Sequence, residues 1–152
     1  MHGRAIAVFA AVLAIGSVAM GCGGSESSDT PPLTKAAFVK KGDAICKKVP
    51  NRYQARVKAL PKQQKSKSPK AAKEEENLKA AVPPLRTAST EFEELSPPTG
   101  DEQKAEAIVV ALEQGADGIE AEPGSKLTGP KSPLAPFQKL TKEYGFKVCS
   151  GL

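Results

Sequence analysis

The sequence predicts an all-α protein: a small antiparallel helical bundle of about four helices, kinked at prolines and stapled by a disulfide. Three observations lead there. From residue 34 to residue 144, apolar residues recur at spacings of three, four and seven, the period of one helix face. No segment shows the strict alternation of a half-buried strand. Clusters of Pro and Gly cut the periodic stretches into helix-sized pieces, and amphipathic helices must bury their faces on one another.

The 152-residue chain opens with one basic residue, Arg4, and the apolar run Ala5–Met20. That is the layout of a secretory signal, and at 16 residues the run is short for the roughly 20 that span a bilayer. Ala19-Met20-Gly21-Cys22 closes it and resembles a bacterial lipobox, in which a small residue precedes an acylated Cys. The expected organisation is a cleaved signal over 1–21, a lipidated Cys22 with a Gly/Ser/Pro-rich tether over 22–33, and a bundle over 34–152. A plain secretory signal followed by a chance Cys is the alternative. The first reading places the protein at the cell membrane, lipid-anchored, on its extracytoplasmic face.

Thr34 is suited to cap a helix starting at Lys35, whose face carries Phe38, Ile45, Cys46, Val49, Tyr53, Val57 and Leu60. Pro50 should kink or break it near Val49. Residues 61–69 hold no apolar side chain other than proline and read as a loop or a frayed helix end. Ser68-Pro69 suits a second start. Leu78, Ala81, Val82, Leu85, Ala88, Phe92 and Leu95 then keep one phase across Pro83-Pro84, which implies a kinked helix or two helices in sequence. Asp101 is placed to cap a third helix with the face Ala105, Ile108, Val109, Leu112, Ala116 and Ile119. After a turn-rich loop, Ser132-Pro133 repeats the cap-and-proline start of a last helix bearing Leu134, Phe137, Leu140 and Tyr144. Gly145 suits its left-handed end.

The only histidine, His2, lies in the expected signal, so the mature chain has no His base, His triad or His metal ligand. With Cys22 acylated, Cys46 and Cys149 remain. An even pair in an exported chain reads most simply as a disulfide; two free thiols are the alternative. Two Cys are too few for a zinc site, and no cofactor or metal is expected.

Charge is strongly segregated. Residues 35–73 carry 13 basic side chains and one acid, Asp43; residues 74–122 carry 13 acids and three bases. Helices of opposite sign lying side by side account for this blandly. Alternatively, the Lys-rich region 35–73 meets an envelope protein, anionic lipid or wall polymer. Nucleic acid is not expected, since no aromatic platform interleaves the lysines.

"KAAFVKKGDAICKK" at 35–48, "VPPLRTASTEFEELSPPTGDEQKAEAIVVALEQG" at 82–115 and "YGFKVCSG" at 144–151 together resemble a group of small predicted lipoproteins of actinobacterial type. The distinctive elements are Asp43-Ala-Ile-Cys46, the Pro-Pro-x-Gly-Asp turn at 97–101 and Tyr144-Gly-Phe-x-x-Cys149. Pro50 and the Lys-rich 61–73 depart from the pattern. The resemblance implies a helical lipoprotein with paired cysteines, and no catalytic residue carries over from it.

The functional expectation is a non-enzymatic envelope module for binding or structure. A small-ligand binder with a pocket between helices is the alternative. An enzyme cleaving wall glycan with two carboxylates would draw on Glu74, Glu75 and Glu76 or on Glu91, Glu93 and Glu94. Both sets splay around a helix, although Glu91 and Glu94 share a side, and both read as solvated faces. Tyr144 reads as a core aromatic near the cysteines.

Overall fold

The computed structural model describes residues 31–60, 69–122, 127 and 129–152, with 69–71 in backbone alone. The signal, Cys22, most of the tether, the Ser68 cap and the centre of the loop after residue 122 lie outside the described residues. Among the described residues there are five α-helices: α1 (Lys35–Ala59), α2 (Pro69–Lys79), α3 (Val82–Glu93), α4 (Glu102–Ala121) and α5 (Ala135–Tyr144). A 3₁₀ turn over Cys149–Gly151 follows.

Thr34 caps α1 as its sequence suggests, its Oγ1 accepting from the Ala37 N–H at 3.2 Å. Pro50 does not end the helix, which runs on to Ala59. The ring is exposed, and buried Ile45 and Val49 before it and half-buried Arg52, Tyr53 and Val57 after it hold both halves on the bundle. At Pro83-Pro84 the chain takes the two-helix alternative. α2 ends at Lys79, Ala80 and Ala81 turn, and the prolines fall in the first turn of α3, where a missing N–H leaves nothing unsatisfied. The last helix starts later than Ser132-Pro133 suggests. Ser132 Oγ accepts from the Leu134 N–H at 3.1 Å, so it organises a turn ahead of α5. Gly145 takes φ 113° as the left-handed cap, with the Phe146 N–H donating back to the Thr141 carbonyl at 2.9 Å.

Packing order follows from the cross-contacts. Leu33 N–H donates to Ser96 O at 3.2 Å, which sets the start of α1 beside the end of α3. Arg86 on α3 reaches Asp117 and Glu120 on α4 at 2.8 and 2.7 Å. Tyr144 at the end of α5 reaches Asp101 at the start of α4. Each helix is therefore antiparallel to its neighbours in the ring α1–α3–α4–α5, which the C-terminal turn closes back onto α1. α1 and α4 sit diagonally.

The core is a chain of aromatic edges set among aliphatic and Ala side chains. Phe38 meets Tyr144 and Phe146 with centroids 5.7 and 5.9 Å apart; Phe92 meets Phe146 and Phe137 at 6.0 and 6.5 Å. Ile45, Leu85, Ile108, Leu112, Ile119 and Leu134 fill around them. Gly42 admits this cluster. A Cβ there would lie 2.3 Å from Phe146 Cε1 and 2.6 Å from Phe92 Cε1, both rings of the buried core.

Gly42→Ala should thus destabilise the protein although it improves helix propensity. Overpacking costs about 1–3 kcal/mol against about 1 kcal/mol gained in the helix. A net loss of up to about 2 kcal/mol, read as a lower urea midpoint at unchanged slope, is the expected result. A raised midpoint would show that the rings yield freely.

Candidate functional site

One turn of α1 holds the end of the chain. Cys46 is joined to Cys149 by a disulfide, with Cα atoms 5.2 Å apart and both residues fully buried. One helical turn before it, Asp43 accepts from three successive backbone N–H groups. These are Lys147 at 3.0 Å, Val148 at 2.8 Å and Cys149 at 3.1 Å. Those amides open the 3₁₀ turn and have no partner within it, so Asp43 caps them from another helix. Cys46 lies four residues after Gly42 and three after Asp43, spacings that put it on the same helix side as each of them.

A second contact joins the start of α4 to the end of α5. Asp101 stands at the N-cap position of α4, its carbonyl accepting from Ala105 N–H, but its carboxylate does not cap the helix. It takes the Tyr144 hydroxyl at 3.0 Å and Lys104 Nζ at 2.6 Å instead. Glu102 turns back onto the Gly100 N–H at 2.9 Å. Lys104 first, then the Tyr144 hydroxyl, hold the Asp101 carboxyl below its ordinary value. Burial, with Asp101 as acceptor, pushes the Tyr144 phenol up to about 12. Lys35 Nζ lies 4.7 Å from the centre of the Tyr144 ring. Tyr144 is thus a core aromatic with a bonded hydroxyl, close to the disulfide in sequence and packed on Phe146.

The three sequence elements that stood out, around Asp43, at 97–101 and at 144–149, are brought together by these contacts. The disulfide was expected. The role of Asp43 was not, although a lone acid among 13 bases was a signal for it.

The other acids are dispersed. Glu74 and Glu75 are exposed, and Glu75 pairs with Lys79 at 2.7 Å. Glu91 bridges α3 to α1 through Lys48 at 3.1 Å and through Arg52. Partial burial pushes its carboxyl up, but the bonds and charges of Arg52 and Lys48 outweigh that and hold it below the ordinary value. Glu93 and Glu94 are exposed. Glu91 and Glu94 border a shallow groove with Lys41 and Lys48. An open cleft of about 390 Å³ lies between α4 and α5, lined by apolar Ala107, Ile108 and Leu140 and by Lys35, Lys104 and Tyr144. No cluster of three or more potential metal ligands occurs among the described residues, and no helix among them is long and apolar enough to cross a membrane.

No protein-family model, no curated protein and no solved structure matches the chain.

Asp43→Ala should cost about 1–2 kcal/mol, the upper range for a lost N-cap. It should also speed amide exchange at 147–149, whereas Asp43→Asn, which keeps an acceptor, should lose less. Equal exchange in wild type and Asp43→Ala would remove the capping role. A second outcome concerns acid. Because the folded Glu91 carboxyl lies below 4.5, its contribution is present above that pH and fades as pH falls through and below it. Glu91→Gln should therefore lower stability by no more than about 1 kcal/mol at neutral pH and match wild type in strong acid. A constant difference at every pH would contradict this.

Proposed function

We propose that the chain is an exported lipoprotein. Residues 1–21 are removed, acyl chains on Cys22 hold it at the extracytoplasmic face of the cell membrane, and the bundle serves as a non-enzymatic module for binding or structure in the envelope. The observation that carries this reading is the buried Cys46–Cys149 disulfide in a chain that opens with a lipobox-like signal. Such bonds form and persist in oxidising compartments and are rare in the cytosol.

The state of the acids supports a module without chemistry of its own. A glycan-cleaving pair needs one carboxylic acid with a raised pKa facing a second carboxylate. Glu91, the acid most tied into the bundle, is shifted the opposite way by Arg52 and Lys48.

The cleft between α4 and α5 favours a second reading, a module for a small ligand, since about 390 Å³ falls within the roughly 300–1,000 Å³ of ligand sites. It ranks below the first because the cleft is open and its cations are already engaged, Lys35 with Tyr144 and Lys104 with Asp101.

Cells fed a tagged fatty acid should label the wild-type protein and leave Cys22→Ala unlabelled, and the variant should shift from the membrane fraction. Absence of label on the wild type, or equal label on both, would sink the lipoprotein reading.

A further inference from the structure

The ring order of the helices turns a segregation of charge along the sequence into a polarity across the molecule. α1 carries eight basic residues and one acid, and α4 carries five acids and one lysine. The two helices lie diagonally, so they do not neutralise each other face to face. Asp43, the single acid of α1, is directed onto the amides of 147–149 and forms no ion pair with a lysine among the described residues. Among the described residues the ion pairs of α1 run to the α3 side, where Glu91 takes Lys48 and Arg52, and the charge of Lys35 acts on Asp101.

What remains is an outward stripe of α1: Lys40, Ala44, Lys47, Asn51, Gln54 and Lys58. Its members are spaced alternately four and three residues apart, and all are exposed. Lys41 on α1 is exposed beside it. So is Lys147, whose backbone N–H is bonded to Asp43 between Lys40 and Lys47. None of these five lysines has an ion pair among the described residues. The stripe contains no acid and no large apolar side chain, so it is built to meet negative charge rather than to insert into a groove.

We propose that this face of α1 docks on the anionic phosphate headgroups of the membrane to which Cys22 is anchored, so that the bundle lies with α1 on the lipid and acidic α4 turned away. The proposal rests on the lipoprotein reading for its choice of surface. The twelve residues 23–34 span at most about 43 Å, and α1 itself is about 37 Å long. The helix is therefore confined to within roughly its own length of the leaflet. Each lysine held there contributes about a fivefold gain in association, so Lys40, Lys47 and Lys58 together contribute about a hundredfold, lost at high salt. Repulsion of α4 from the same surface favours one orientation.

The test uses the purified full chain on vesicles of phosphatidylcholine, with or without phosphatidylglycerol. An amine-reactive label is read lysine by lysine by mass spectrometry. On anionic vesicles at low salt, Lys40, Lys47 and Lys58 should label several-fold more slowly than on zwitterionic ones, with Lys104 on α4 unchanged and the difference abolished by high salt. The triple variant K40Q/K47Q/K58Q, confined to exposed side chains without an ion pair among the described residues, should lose the protection at Lys41 and Lys147. Equal labelling on both surfaces overturns the proposal. Protection on isolated cell wall but not on lipid also overturns it and assigns the face to wall polymer. Flotation of the same samples separates the two readings. A chain that floats only with anionic vesicles keeps the docking face and loses the anchor. One that floats with neither loses both. One that floats with both keeps the anchor and leaves the labelling to decide the face.

Discussion

The architecture depends on one turn of α1 gripping the far end of the chain. Gly42 removes the side chain that would block Phe146 and Phe92, Asp43 gathers three backbone N–H groups, and Cys46 makes the covalent bond. Asp43 holds the turn at 147–149 that presents Cys149 to Cys46. Phe146 can enter the core only where no Cβ stands, and its ring joins Phe38 to Phe92, and so α1 to α3. An Ala-rich bundle with few aromatic residues concentrates much of its specificity at this point. The chain-entropy model assigns a loop of about 100 residues roughly 4–5 kcal/mol of stabilisation, comparable with a sizeable share of a small domain's stability.

The helical class and the core were largely legible in the sequence because burial and helix period coincide. Phe38, Ile45, Cys46, Val49, Leu85, Ala88, Phe92, Ile108, Leu112, Ala116, Ile119, Phe137 and Tyr144 are all buried as their spacing implies. Proline was harder to read. At Pro83-Pro84 it starts a helix, whereas at Pro50 a helix passes through it. The difference lies in what each neighbouring segment buries, which local propensity does not contain.

The polar contacts were less legible still. Asp101 and Ser132 carry the residue type of a cap, yet one carboxylate goes to a tyrosine hydroxyl on another helix and the other residue's hydroxyl organises a turn before the helix begins. Asp43 caps amides more than 100 positions away. A side chain with several possible partners chooses by distance in the folded state, and no spacing rule along the chain encodes that choice. The same holds for the charges. The sequence shows two blocks of opposite sign, but only the ring order decides that α1 and α4 stand across the bundle while Glu91 and Arg86 stitch adjacent helices.

The 103-residue separation of Cys46 and Cys149 has a consequence in time. A ribosome adding about 5–20 residues per second needs roughly 5–20 s to pass from one cysteine to the other. Throughout that interval the thiol of Cys46 is without its partner, and the apolar faces of α1 and α3 lack the ring of Phe146 between them. The bond can therefore form only after Cys149 has been made. A chain halted anywhere short of Cys149 cannot lock, and its Cys46 thiol stays free.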